Sequence, residues 1–156
     1  MIERMEFPKN ANVLIVDDEE KFCKHLQTAL IQCGRKHKIV ISSEYCLNFK
    51  DGWDKIESDS EKYNAIIVDK NLEKTENPRS GLSPILILKA AFANSSIKCF
   101  YISSELGFAG NGQIQHPADY TAWLLKKLLR INVNFWKMQK DRELVEDIVS
   151  ELSRDE

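Results

Sequence analysis

Apolar residues along this chain alternate between two rhythms. In the first, short stretches are apolar at successive positions: "NVLIVDD" (12–18), "KIVIS" (38–42), "NAIIVD" (64–69) and "SIKCFYIS" (96–103). Runs of that length and continuity suit strands covered on both faces. A fifth, shorter strand is expected at "GQIQHP" (112–117). In the second rhythm, Phe22, Leu26, Ala29, Leu30 and Cys33 recur at helical spacing, and Gly34 stands where a C-cap would. "YCLNFKDGWDKI" is a weaker helical segment, interrupted by Gly52. "SPILILKAAFAN" reads as a helix with Ser83 as N-cap and Pro84 at its first position. From Ala118 the pattern is helical to the end, and residues 1–11 read as a leader stopped by Pro8.

Strand and helix alternate, with connections too long for hairpins. This predicts an α/β fold built on a doubly wound parallel sheet. Such sheets gather ligands at the carboxyl ends of their strands. Asp17 and Asp18 end the first strand, Asp69 the third and Ser103 the fourth. If the first and third strands are neighbours, three carboxylates meet at one rim. Their mutual repulsion calls for a counter-charge, and hard oxygen ligands suit Mg²⁺. A carboxylate can also attack phosphorus to give an acyl phosphate, and a serine hydroxyl can donate to a phosphoryl oxygen.

Composition narrows the class. At 156 residues with 43% hydrophobic residues the chain suffices for one domain with a real core. A net charge of −2 carries no nucleic-acid footprint. No apolar run is long enough to span a membrane, and "MIERMEFPKN" lacks the apolar core of a signal peptide. A cytoplasmic location is therefore expected. Cys23, Cys33, Cys46 and Cys99 each lie in an apolar stretch and read as small core residues, and their spacings do not suggest zinc. His25 and His37 sit in charged stretches and are expected to face solvent.

At the strand ends the sequence resembles the receiver domain of two-component response regulators. The matching pieces are "VLIVDDEE" (13–20), "AIIVD" (65–69), Gly81, "YISS" (101–104) and "HP" (116–117), in family order over roughly residues 12–130. The resemblance implies a five-stranded flavodoxin-like sheet of order 2-1-3-4-5. It implies Asp69 as phosphoacceptor, with Mg²⁺ held by Asp17, Asp18, Asp69 and the backbone carbonyl of Asn71. Ser103 falls at the family's switch hydroxyl. The phosphodonor would be a histidine kinase or phosphotransfer protein, and output would run through protein contacts.

Three features depart from the family. A Lys is expected before the Pro that follows the fifth strand, and His116 holds that place. Beside three carboxylates a histidine favours its charged form, so a pH-dependent response between pH 6 and 8 is expected. The acceptor loop "KNLEKTENPRS" (70–80) is long, with Pro78 late. After Ser103, "SELGFAGNG" holds Gly107, Gly110 and Gly112, which predicts a reduced fourth helix. Gln113 stands where the family has its aromatic switch residue.

Residues 131–156 are expected to form a helical extension. Leu124, Leu128, Ile131, Phe135, Met138, Arg142, Val145, Val149 and Leu152 alternate by four and three. This predicts a long C-terminal helix and a homodimer through a coiled coil. Its basic first half and acidic second half favour an antiparallel pair. A competing reading is a degenerate receiver that binds partners without phosphorylation. A phosphohydrolase has less support, since Asp17 and Asp18 are adjacent rather than in a D-x-D arrangement. No P-loop or helix-turn-helix is found.

Overall fold

The computed structural model describes residues 9–69, 82–93, 96–103, 134–139 and 143–154. The strands are β1 (Lys9–Val16), β2 (Ile39–Cys46), β3 (Ala65–Asp69), β4 (Lys98–Ser103) and β5 (Asn134–Gln139). They form one sheet of order β2-β1-β3-β4-β5 in which every pair is parallel. The described helices are α1 (Glu20–Lys36), α2 (Phe49–Asp59), α3 (Leu82–Ala93) and α4 (Leu144–Ser153), with a 3-10 turn at Ser60–Lys62. None of these helices is long and apolar enough to cross a membrane.

The continuous apolar runs are explained by cover on both faces. Val13, Ile15, Ala65, Ile67, Phe100 and Ile102 pack with α1 and α4 in one core cluster. Leu14, Val16, Ile66, Val68, Cys99 and Tyr101 point the other way, into a cluster shared with Ile56 of α2 and Leu86, Ile87 and Ala90 of α3. Side chains alternate across a strand, so a strand buried on both sides needs apolar residues at every position.

Several boundaries differ from the sequence expectation. β1 starts at Lys9, inside the expected leader. Pairing with β2, from Lys9 opposite Ile39 onward, extends it past the apolar run. β2 runs on to Cys46, and α2 starts only at Phe49, where the Asn48 side chain accepts from the Asp51 N–H. α3 begins at Leu82, so Ser83 lies in its first turn rather than before it.

The two glycines read as helix-breaking signals both lie inside helices. A Cβ on Gly34 would stand 2.8 Å from the Ile39 carbonyl oxygen, and one on Gly52 would stand 2.9 Å from a Val16 methyl. Each marks a close approach of helix to sheet. Beyond α1 the chain turns at Lys38, with a left-handed φ of 60°.

The largest correction concerns the C-terminal region. Residues 134–139 are a strand, so no continuous helix runs from Ala118 to the end. The fifth strand therefore falls in the expected helical extension, and β5 continues the sheet past residue 130. Phe135 and Met138, two residues of the supposed heptad seam, belong to β5. Val149 and Leu152, two more, are buried against α1 and the sheet. "INVNF" (131–135) alternates apolar and polar with period two, a strand signal hidden by a helical spacing that also fits. The segment 112–117 lies outside the described residues. So does the whole β4–β5 connection, residues 104–133, including 104–112, where the reduced fourth helix was expected.

α4 is fastened at its C-terminal end by two lysines. Lys9 Nζ donates to the Leu152 carbonyl at 2.8 Å and to that of Arg154 at 3.3 Å. Lys98 Nζ, on a buried residue, donates to the Glu151 carbonyl. Cations there satisfy carbonyls the helix leaves open and oppose its dipole.

Candidate functional site

The register of the three central strands sets the site. Val16 pairs with Val68 across β1 and β3, so Asp17 and Asp69, the next residues of each chain segment, leave the sheet side by side. Asp69 is also opposite Ile102 of β4. Asp17 is fully buried, Asp69 is 3% exposed, and Asp18 is exposed. Carboxylate oxygens of Asp17, Asp18 and Asp69 all lie within 4.8 Å of one another.

Local contacts hold this arrangement. The Asp17 N–H donates to the Cys46 carbonyl at 3.0 Å, which anchors the rim to the end of β2. Asp17 Oδ1 accepts from the Glu19 N–H at 2.9 Å and shapes the turn into α1. The Cys23 thiol donates to the Asp17 carbonyl at 3.4 Å, and α2 presses on Val16 through Gly52. Asp17 thus does some of the ordinary work of an acid at a helix start. That role does not account for Asp69, whose Oδ1 is buried with no hydrogen bond to that atom among the described residues, although the residue has other interactions.

The donor set fits a hard divalent cation. Three carboxylates at one rim supply oxygen ligands of high charge density. One of them, Asp18, is exposed, so water can complete an octahedral shell. Ser103 ends β4 at the same rim, paired with Gln139 of β5; its hydroxyl is outside the described atoms. Asn71, His116 and the acceptor loop 70–80 lie outside the described residues.

The relocation of β5 changes one assignment. β5 ends at Gln139, so His116 does not directly follow the fifth strand; position 140, a lysine in the sequence, lies outside the described residues.

His37, expected to face solvent, is partly exposed and also meets the Glu146 Oε1 at 2.7 Å, between α1 and α4. The Cys33 thiol donates to Glu146 Oε2 at 3.0 Å. Burial first, then that hydrogen bond, pushes the thiol up to about 11. The bonds from Cys33 and His37 hold the Glu146 carboxyl below the usual carboxylate range. All four cysteines are free thiols in buried positions.

No protein-family model matches this sequence, and no curated protein matches it either. Solved structures do match by shape. A response regulator receiver domain from Clostridium thermocellum superposes with a TM-score of 0.58 at 10% identity, covering 92% of this chain and 93% of that one. The pilus assembly protein CpaE from Caulobacter crescentus gives 0.56 at 12% identity, covering 96% and 98%. A pilus assembly-related protein from Burkholderia pseudomallei gives 0.55 at 10% identity, covering 97% and 94%. At such identities the likeness speaks for the fold. The chain has the receiver-type α/β fold, with an acidic cluster at the carboxyl rim of its sheet.

Proposed function

We propose that this protein is a phosphoacceptor signalling domain in which Asp69 takes a phosphoryl group. The observation that carries this reading is the meeting of Asp17, Asp18 and Asp69 within 4.8 Å at the carboxyl ends of adjacent strands. A carboxylate oxygen of Asp69 attacks phosphorus and forms an acyl phosphate, while the bond from phosphorus to the donor's leaving group breaks. Asp17, Asp18 and Asp69, with the Asn71 carbonyl, would hold Mg²⁺. The ion would neutralise charge on the phosphoryl oxygens. Burial of Asp17 and Asp69 excludes bulk water from the inner side of the site, and exposed Asp18 leaves the outer side open to a donor. In this reading Lys140 takes the cation's place after β5, and Ser103 offers its hydroxyl to the new phosphate. The donor would be a histidine kinase or phosphotransfer protein, and the added charge would be read by a protein partner.

The test is intact mass after incubation with Mg²⁺ and a small phosphodonor such as phosphoramidate. One added phosphoryl group, absent in Asp69→Asn and labile to base, is expected. No gain in mass, or a gain that persists in Asp69→Asn, overturns the reading. No gain would leave the phosphorylation-independent interaction module as the better account.

A further inference from the structure

At the other end of α1 from the acidic rim, three side chains of different chemistry converge. Cys33 and His37 stand four positions apart across the last turn of α1, which brings them to one face. Glu146 enters from the first turn of α4. The Cys33 sulfur, a His37 ring nitrogen and a Glu146 oxygen all lie within 4.8 Å of one another. We infer that Cys33, His37 and Glu146 form a binding site for a first-row transition-metal ion of the Zn²⁺ type.

The donor set gives the class of ion. One sulfur, one imidazole nitrogen and one carboxylate oxygen match a borderline-soft tetrahedral ion and leave a fourth position for water. Mg²⁺ and Ca²⁺, which want oxygen alone, are poorly served. The acidic rim has the opposite preference, so the two clusters would sort ions by chemistry.

The geometry is near what an ion needs. Ligand atoms around tetrahedral zinc stand about 3.3–3.6 Å apart. At present Cys33 Sγ stands 3.0 Å from Glu146 Oε2 and His37 Nε2 2.7 Å from Oε1, the other oxygen of the same carboxylate. An ion would therefore replace two hydrogen bonds, with a small retreat of the Glu146 carboxylate. That side chain is 54% exposed and has room to move, and His37 at 28% leaves a path from solvent. On binding, a sulfur–metal bond forms and the thiol proton goes to solvent. The charge of Lys36 acts on Cys33 in the direction that favours its thiolate.

The shape of the backbone supports a built site. His37 is the C-cap of α1, with its N–H bonded to the Gly34 carbonyl at 3.0 Å. Gly34 seats this turn against β2, and α4 is fixed by Leu144 and Ile148 in the core on either side of Glu146. The positions of both ligand-bearing elements, α1 and α4, are thus set by packing that does not depend on the ion.

The experiment uses the full chain, stripped with chelator and titrated with Co²⁺ in a buffer free of thiols. A thiolate-to-cobalt charge-transfer band in the near ultraviolet, saturating at one ion per chain and displaced by Zn²⁺, is expected. It should be lost in Cys33→Ser and weakened tenfold or more in His37→Gln and Glu146→Gln. It should be unchanged in Asp69→Asn and unaffected by excess Mg²⁺. Absence of the band in the unaltered protein overturns the inference, as does a band that survives Cys33→Ser. Circular dichroism checks that Cys33→Ser is folded; if it is not, unchanged Co²⁺ affinity in both His37→Gln and Glu146→Gln overturns it.

Discussion

The Ile39 carbonyl oxygen stands 2.8 Å from where a Cβ on Gly34 would be, so the last turns of α1 lie against the first residue of β2 with only a hydrogen between them. Ile41 Cδ1 closes the same space at 3.0 Å. Gly34→Ala would gain up to about 1 kcal/mol of helix propensity. It would also push a methyl into backbone that cannot rotate away. A net loss of about 1–3 kcal/mol is expected, read from urea unfolding at constant m-value.

Removing a charge from the acidic rim should have opposite effects with and without metal. Asp69→Asn relieves repulsion among three carboxylates and should stabilise the metal-free protein by about 1–3 kcal/mol. The unaltered protein should gain thermal stability as Mg²⁺ is added, and the variant should gain little. Thermal melts in chelator and in millimolar Mg²⁺ check this by a reversal in the order of the two melting points. The same order in both conditions would argue against a cation at the rim.

The two lysines that meet the end of α4 should matter unequally. Lys98 is buried and donates to Glu151, so Lys98→Met should cost about 1–3 kcal/mol. Lys9→Met, at a partly exposed bond to Leu152, should cost about 1 kcal/mol. Amide exchange in the last turn of α4 should rise in both variants. Unchanged exchange would mean that packing of Ile148 and Leu152 alone holds the helix end.

Glu44 gives a pH signature away from the site. Lys62, at 2.7 Å, and the hydroxyl of Tyr63 hold its carboxyl below the usual range. A carboxylate depressed in the folded state stabilises the fold above its unfolded pKa. That contribution fades as pH falls through the folded value. Glu44→Gln should therefore cost under about 1 kcal/mol near pH 7, given its exposure. The cost should shrink from about pH 4 downward. Urea titrations at pH 7 and pH 3 compare the two.

Much of this architecture can be read from particular residues. Val13 to Val16 and Ala65 to Val68 are apolar at every position because helices cover both faces, and that pattern places Asp17 and Asp69 at one rim. Three sets of residues were not legible from local pattern. Gly34 and Gly52 look like helix breakers but record contact with Ile39 and Val16, which no local pattern can show. Phe135 and Met138 satisfy helical spacing from their neighbours, yet pair with Cys99 and Ile102 in the sheet. Cys33, His37 and Glu146 are a third case. The spacing of the first two was visible, but their partner lies in the last described helix and reaches them only through the fold.

The position of α4 bears on how the chain is made. Its residues Leu144, Ile148, Val149 and Leu152 cover one side of the sheet together with α1, over a floor that includes Phe100 and Ile102. During synthesis those two side chains leave the ribosome more than forty residues before the helix that shields them. A nascent or truncated chain lacking residues 144–154 would carry a bare apolar floor on an otherwise formed sheet. Such a chain is expected to need chaperone cover and to self-associate when it lacks it, so the yield of folded protein rests on residues 144–154.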